Sequence, residues 1–289
     1  MEKIIAYLSN PGNFGPEEIK GEWPCVSSSY LEWSTEPQEL GIWVDSFDPK
    51  VGHGYYKNDS ESGTQHKVAI LVEPISLNPH QYNWVLDHQS DFDLIFSTYP
   101  DFGQDQTNSD KFKYFQGGAR SYLYPTEWKV YPKTKDIVCV MSNKHYLEGH
   151  KLRHAIRAVY HHSGVIDYLN PAMDKKIEAL KDYRFELVIE NESGPFFSEK
   201  LIDCMLAGCI PIYWTKDSNI EYFSNFDKKG IVFFQDEVEL VNILEDQILN
   251  EQYYMDRLEA VKHNFKEAKK YTSLGDVIWE AGLKELYTR

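Results

Sequence analysis

The 289-residue sequence has no run of about 18 uninterrupted apolar residues, the length that a membrane-spanning helix requires. The apolar part of its opening, MEKIIAYLSNPG, is far too short for the core of a secretory signal peptide. Basic residues are also scarce, since 30 Lys and Arg against 45 Asp and Glu give a formal net charge of −15. We therefore expect a soluble, cytoplasmic protein that neither inserts into membranes nor binds nucleic acid, because an anionic partner requires basic patches.

Cysteine is rare and shows no ligand spacing. Cys25, Cys139, Cys204 and Cys209 form no CxxC pair, and three of them lie in apolar runs where a reduced thiol packs as a small hydrophobic group. The sequence also contains neither GxGxxG nor GxxxxGK, which excludes the usual dinucleotide and P-loop motifs.

Short runs rich in β-branched or aromatic residues alternate with helical patterns, which favours an α/β protein with mainly parallel sheets. The predicted strands cover residues 3–8, 41–44, 67–73, 93–99, 136–141, 185–190, 209–214 and 230–234. Helical patterns occupy EGHKLRHAIRAVYHH and SEKLIDCMLAG, where Ser198 is a predicted N-cap and Gly208 a predicted C-terminal stop. The alternation becomes regular after YPKTKD, so we predict an N-terminal domain over 1–132 and a C-terminal domain over 133–289, with the option that the last helix packs back on the first domain.

Two predicted strand-to-helix joins carry polar residues where a doubly wound sheet binds ligands, beyond the carboxyl ends of its strands. These residues are Ser142, Asn143 and Arg153 at the first join and Glu190, Asn191, Glu199 and Lys200 at the second. Arg153 and Lys200 on one rim would suit a pyrophosphate, and Glu199 would accept hydrogen bonds from ribose or sugar hydroxyls. The pattern also fits an exposed Glu–Lys pair that opens a helix, with the glutamate favoured by the helix dipole.

A longer stretch of sequence favours a ligand site at these joins over an exposed Glu–Lys pair. DYRFELVIENESGPFFSEKLIDCMLAGCIPIYW resembles the donor-binding signature of glycosyltransferase family 10, the α-1,3/α-1,4-fucosyltransferases, and YPKTKDIVCVMSNK with GHKLRHAI is similar to that family's entry into the same domain. The resemblance covers residues 130–235 and implies a GT-B architecture of two Rossmann-like domains. It further implies inverting transfer of fucose from GDP-fucose, held by the C-terminal domain, to a hydroxyl of a carbohydrate acceptor.

The resemblance also implies residue roles. Arg153 and Lys200 would contact the diphosphate, while Asn191 and Glu199 would contact the nucleotide sugar; Ser142, Asn143, Glu190 and Phe196 complete the predicted donor site. Phe196 stands where the family usually has tyrosine, and Thr215 where glycine usually follows Tyr-Trp. These two departures leave the identity of the sugar open.

An inverting transfer requires a carboxylate that takes the proton from the acceptor hydroxyl. KVAILVEPISLNPHQYNW is similar to the family segment in which the catalytic glutamate precedes proline, which implies that Glu73 is the base. From the residues alone, the favoured interpretation of Glu73 is an ordinary strand-end carboxylate before Pro74.

Two patterns suggest a metal. DFD, Asp91 to Asp93, fits the DxD of metal-dependent glycosyltransferases, and His150 and His154 lie four residues apart on one predicted helix. DxD is short and common, and no third zinc ligand follows the histidines. With Arg153 and Lys200 supplying positive charge, we expect neither a metal nor another cofactor.

Two rival functions remain: the same machinery with another nucleotide sugar, and a non-catalytic protein that binds a sugar nucleotide or a glycan. Donor hydrolysis or transfer would separate an enzyme from a binding protein. The sequence leaves the acceptor and the oligomeric state open.

Overall fold

The computed structural model describes residues 2–9, 27–45, 47, 63–117, 120–246 and 249–287. The chain forms two compact units, one of residues 1–119 and 273–289 and the other of residues 120–272. Cys25 lies outside the described residues, whereas Cys139, Cys204 and Cys209 are buried free thiols, as the sequence predicts.

The first unit contains a parallel six-stranded sheet in the order β2-β1-β3-β4-β5-β6. Its strands are β1 Ile4–Ser9, β2 Leu31–Ser34, β3 Leu40–Val44, β4 His66–Leu71, β5 Leu94–Ser97 and β6 Phe112–Tyr114. Helix α1, Pro79–Asp87, connects β4 to β5 and buries Tyr82 and Val85 in the aromatic-rich core beside the sheet.

The second unit contains a parallel five-stranded sheet in the order β11-β10-β9-β7-β8. Its strands are β7 Lys135–Val140, β8 Ile166–Leu169, β9 Tyr183–Val188, β10 Ile210–Trp214 and β11 Val232–Phe234. The helices are α2 Glu148–Tyr160, α3 Lys176–Leu180, α4 Glu199–Leu206, α5 Glu237–Glu245, α6 Glu251–Asp256 and α7 Leu258–Ala268. Phe185, Leu187 and Ile212 from the central strands lie in its core, because a parallel sheet covered on both faces buries its strands completely.

Helix α8, Leu274–Ala281, belongs to the first unit although it follows the second unit in the sequence. Its Asp276 carboxylate accepts hydrogen bonds from the Ser28 hydroxyl and the Ser29 backbone N–H, both at 2.6 Å, and Trp279 stacks on Tyr30 with ring centroids 5.0 Å apart. Short 3₁₀ helices occupy Gln89–Asp91, Ser109–Lys111, Pro125–Glu127, Met173–Lys175, Asp217–Phe223, Lys228–Gly230, Lys269–Tyr271 and Leu283–Tyr287. In the described part of the chain, no helix combines the length and apolar character that a membrane crossing requires.

Each of the eight predicted strands is present, and the structure adds β2, β6 and β8. All three additional strands are three or four residues long and lie at a sheet edge. An edge strand is covered less completely, so its sequence carries a weaker apolar signal than that of a central strand.

The units divide at residue 120, whereas the sequence suggested a boundary at 132. The intervening segment is tied to α4: the Ser121 hydroxyl donates to Asp203 at 2.6 Å, and the Lys129 N–H donates to the Leu206 carbonyl at 3.1 Å. Gly208 ends the helix as predicted, with φ of +71°. It lies so close to the backbone of Val130 that a Cβ on Gly208 would be 2.7 Å from the Val130 Cα. These contacts group residues 120–132 with the second unit.

Candidate functional site

The two polar joins lie side by side in the second unit. Strand β7 pairs with β9, and the chain places β8 on the other side of β7, so the order of strands reverses between β7 and β9. Such a switch point opens a crevice at the carboxyl edge of an α/β sheet. The joins β7–α2 and β9–α4 both start at this edge.

Gly149, in the first turn of α2, brings the joins together. Its N–H donates to the Asn191 carbonyl at 2.9 Å, and a Cβ on this residue would lie only 1.7 Å from the Glu190 carbonyl oxygen. Only glycine permits this contact between the helix and the backbone that follows β9.

Arg153 lies one turn further along α2 and is only 5% exposed. Its Nε donates to the Gly149 carbonyl at 3.2 Å and its Nη2 donates to Asn191 Oδ1 at 3.1 Å. Burial lowers the pKa of Arg153, against the opposing effects of Cys139, Glu190 and Glu199. The structure therefore brings Arg153 and Asn191 together, and the guanidinium is a desolvated cation suited to an anionic ligand.

Glu190 organises the second join. It is 2% exposed, and its carboxylate accepts from the Ser198 N–H at 2.8 Å, the Ser198 hydroxyl at 2.6 Å, Lys200 Nζ at 3.2 Å and the Tyr213 hydroxyl at 3.2 Å. Both carboxylate oxygens are thus engaged within the protein. This arrangement fixes the loop and the start of α4, and a direct donor contact of Glu190 stays a prediction.

Glu199 and Lys200 open α4, with Ser198 as the predicted N-cap. Lys200 Nζ lies 3.4 Å from Glu199 Oε1, and the other Glu199 oxygen lies 3.7 Å from Arg120 Nε. Burial alone would raise the pKa of Glu199, but Lys200, Arg120 and Lys176 outweigh it and hold the pKa below its ordinary value. The pKa of Lys200 is raised, since Glu199 and Glu190 outweigh its burial. Glu199 is therefore an anion and Lys200 a cation, and neither is the solvated member of a surface pair.

Arg120 is held in place by buried contacts to α4. The neighbouring Ser121 hydroxyl and Tyr122 N–H both donate to Asp203, which also forms a 2.8 Å ion pair with Lys176. The Arg120 guanidinium lies over the Tyr122 ring, 5.0 Å from its centroid, and Lys176 Nζ lies 5.6 Å from the same centroid. Burial, together with Glu199, raises the pKa of Tyr122 to about 12, so the ring stays neutral between the two cations.

The remaining predicted donor residues lie around this cluster. Ser142 and Asn143 follow β7 as expected, and the Ser142 hydroxyl accepts weakly from the Lys144 N–H at 3.4 Å. Phe196 is buried in the loop before α4, where its carbonyl accepts from the Tyr213 hydroxyl at 3.4 Å. Thr215 is buried at the end of β10, its N–H donating to the Phe234 carbonyl. A donor-binding role for Ser142, Asn143 and Phe196 stays a prediction.

Glu73 lies in the first unit, two residues beyond the end of β4. Its N–H donates to Asp45 Oδ2 at 3.0 Å and its carbonyl accepts from the Tyr82 hydroxyl at 2.9 Å, which leaves the half-buried side chain at the carboxyl edge of that sheet. Asp45, at φ of +48°, also accepts from the Val72 N–H. The backbone around Glu73 is therefore fixed, as a positioned base requires, while its catalytic role stays a prediction.

Three of the four residues in the metal patterns have other partners in the described part of the chain. Asp93 lies at the amino-terminal start of β5, the opposite edge from Glu73, and its carboxylate accepts from the Lys67 N–H at 2.8 Å. His150 Nδ1 accepts from the Leu147 N–H at 3.2 Å, and His154 Nε2 lies 3.1 Å from the Lys144 carbonyl. Burial and neighbouring cations lower the pKa of His150 to about 4, so this ring is neutral at physiological pH.

Sequence reasoning missed Arg120 and Tyr213 as members of the site. Arg120 lies outside the strand-to-helix joins, and no local pattern connects it with Glu199, 79 positions later along the printed sequence. Tyr213 stands in a strand whose sequence predicts core residues throughout, and the contacts of its hydroxyl with Glu190 and the Phe196 carbonyl show its role.

Comparisons with known proteins agree with this architecture. No protein-family model matches the chain. A curated relative, the putative fucosyltransferase R654 of Acanthamoeba polyphaga mimivirus, is 38% identical over 85 residues, which are 28% of this chain and 14% of that protein. The match thus spans about a seventh of the relative's length.

Three solved structures extend the likeness to nearly the whole chain. An α1,3-fucosyltransferase with GDP gives a TM-score of 0.52 at 16% identity and covers 95% of this chain and 92% of that one. An α-glucosyltransferase in complex with UDP-glucose and DNA gives a TM-score of 0.60 at 12% identity, and the match covers 99% of this chain and 91% of that one. HepE of Anabaena, in complex with UDP-glucose, gives 0.56 at 10% and covers both chains fully. The chain therefore has the GT-B fold of glycosyltransferases, as predicted.

Proposed function

We propose that this protein is an inverting glycosyltransferase that transfers fucose from GDP-fucose to a hydroxyl of a carbohydrate acceptor. The observation that carries the proposal is the pair of cations, the buried Arg153 and the partly buried Lys200, beside Asn191 and an ionised Glu199 at the switch point of the second unit. This pattern suits a diphosphate joined to a hydroxyl-rich group.

The reaction is a single displacement. The acceptor oxygen forms a bond to the anomeric carbon while the bond from that carbon to the diphosphate oxygen breaks, and GDP leaves. Glu73 takes the proton of the attacking hydroxyl, and Arg153 with Lys200 stabilises the negative charge on the departing diphosphate. Protein cations thus supply the charge stabilisation, and no metal is required.

Fucose is supported by the residues that resemble family 10 and by the name of the mimiviral relative. A second candidate is a UDP-sugar, favoured by the buried Phe196 in place of the usual tyrosine and by the UDP-glucose that two structural neighbours hold. A non-catalytic binding protein is the third.

Thermal stability with GDP, UDP, their sugar conjugates, guanosine and uridine tests the proposal, because a ligand that binds only the folded state raises its stability. GDP should stabilise the protein more than guanosine. Arg153→Ala should remove most of that difference, since a charge-assisted contact contributes about 1.5–3 kcal/mol. Arg257→Ala is the matched control, because Arg257 belongs to the same unit and lies over the Tyr253 ring, 3.4 Å from its centroid.

Equal stabilisation by the diphosphate and the nucleoside would overturn the diphosphate site. Preference for UDP over GDP would select the second candidate. Nucleotide-sugar binding without hydrolysis or transfer to any acceptor in a glycan panel would select the third.

A further inference from the structure

The Lys200 ammonium already has as many acceptors as it has N–H groups. Its Nζ lies 3.1 Å from Ser198 Oγ, 3.2 Å from Glu190 Oε2 and 3.4 Å from Glu199 Oε1. A diphosphate oxygen that binds Lys200, as the proposed function requires, must therefore displace one of these three contacts.

Two of the three are fixed by other bonds. Glu190 is buried and holds the Ser198 N–H, the Ser198 hydroxyl and the Tyr213 hydroxyl. Ser198 is the N-cap of α4, and its oxygen also accepts from the Lys200 N–H at 3.2 Å. Loss of either contact would disturb the start of the helix.

Glu199 makes the longest of the three contacts and has a second cation within reach. Its Oε2 lies 3.7 Å from Arg120 Nε, and its side chain is only 11% exposed. Without a cation beside it, so deeply buried a carboxylate would be strongly unfavourable. Arg120 removes that cost, because it remains beside Glu199 after Lys200 has turned to the ligand.

Arg120 can stay beside Glu199 because the position of its backbone is fixed by contacts other than Glu199. Ser121 and Tyr122 are tied to Asp203, one turn beyond Glu199 on the same helix, and Asp203 is in turn paired with the buried Lys176. The guanidinium is supported by the Tyr122 ring.

Resting on the proposed function, we propose that Arg120 is a positioning residue that retains the Glu199 carboxylate when a nucleoside diphosphate takes over Lys200. Arg120 thereby makes Lys200 available to the diphosphate and keeps Glu199 oriented for the hydroxyls of the donor.

A double-mutant cycle on GDP binding tests this role. Arg120→Met should weaken GDP binding about tenfold or more, because Glu199 then depends on Lys200, 3.4 Å away, and less directly on Lys176, so that it competes with the ligand for Lys200. Glu199→Gln alone sets the reference affinity of the cycle, because it removes the charge that competes for Lys200 together with a carboxylate proposed to face the donor hydroxyls. The double variant Arg120→Met/Glu199→Gln should bind GDP within about threefold of Glu199→Gln, since removal of the competing charge restores Lys200.

The rescue separates this role from a direct contact and from a merely structural one. If Arg120 itself bound the diphosphate, or only stabilised the fold, the double variant would keep the full loss, and the inference would be overturned. Arg120→Lys, which keeps the charge, should lose less affinity than Arg120→Met, and an equal loss would count against the inference. Arg257→Met, an arginine over a tyrosine ring elsewhere in the unit, is the control and should bind GDP normally.

Nucleotide binding by the wild-type protein distinguishes failure of the proposed function from failure of the role proposed for Arg120. If it binds neither GDP nor UDP, the proposed function is wrong and this role of Arg120 is wrong with it. If it binds either nucleotide and the rescue fails, the proposed function stands and only the role of Arg120 is wrong.

Discussion

Replacement of Gly149 by alanine places a methyl group in the backbone contact between the two joins. The new Cβ would lie 1.7 Å from the Glu190 carbonyl oxygen, whereas real Cβ atoms essentially never come closer than 3.0 Å. Neither atom is the end of a flexible side chain, so α2 and the segment after β9 must move apart. Such overpacking costs about 1–3 kcal/mol.

Two smaller effects also change the free energy of unfolding. Separation weakens the hydrogen bond from the Gly149 N–H to the Asn191 carbonyl, which contributes about 0.5–1.5 kcal/mol. Alanine in a helix gains about 1 kcal/mol over glycine. The net loss is about 0.5–3.5 kcal/mol, and a loss of about 2 kcal/mol lowers the melting temperature of a unit of this size by about 4–8 °C.

Thermal melting with and without GDP measures both consequences. Gly149→Ala should melt earlier and should also lose most of the stabilisation by GDP, because Arg153 donates to Asn191 across the contact that opens. Val159→Ala is the control, since Val159 lies on the same helix and is 70% exposed. If Gly149→Ala melted and responded to GDP as Val159→Ala does, the close contact would have no part in forming the site.

Three further predictions concern the base, the metal and a buried carboxyl group. Glu73→Gln should keep GDP affinity and lower turnover by about two to four orders of magnitude, while the exposed Glu32→Gln changes neither; normal turnover would place the base elsewhere. Transfer should survive a chelator, and abolition that manganese reverses would move the site to Asp91 and Asp93. Burial raises the pKa of Glu186 to about 8. The contribution of this group to the free energy of unfolding therefore falls as pH rises from about 4.5 towards 8. Glu186→Gln should therefore raise the melting temperature more at pH 8 than at pH 5, and an equal effect at both pH values would contradict the assignment.

The sequence predicted the framework of the second unit because its signals are local. Strands 136–141, 185–190 and 209–214 are predominantly apolar segments, and the boundaries of α4 follow from its N-cap Ser198 and from Gly208. That β7 and β9 are neighbours follows from no local pattern, yet this pairing brings Arg153 to Asn191.

Residue roles were harder to predict than residue identities. Glu190 and Glu199 are carboxylates of the same join, but Glu190 is enclosed by Ser198, Lys200 and Tyr213 while Glu199 lies between two cations. Their separate environments depend on β10 and on the segment at Arg120. Tertiary contacts of this kind are not encoded in the spacing of a motif.

The acidic composition and the proposed anionic ligand are compatible because charge acts locally in a crevice. Within the cluster, the cations Arg120, Arg153 and Lys200 face two carboxylates, Glu190 and Glu199, a balance of three positive against two negative charges. The chain as a whole carries a net charge of −15. A small diphosphate meets only the cluster, at close range and partly desolvated, where the attraction is strong. A long polyanion would instead experience the net negative charge of the chain, and our prediction against nucleic-acid binding rests on that difference.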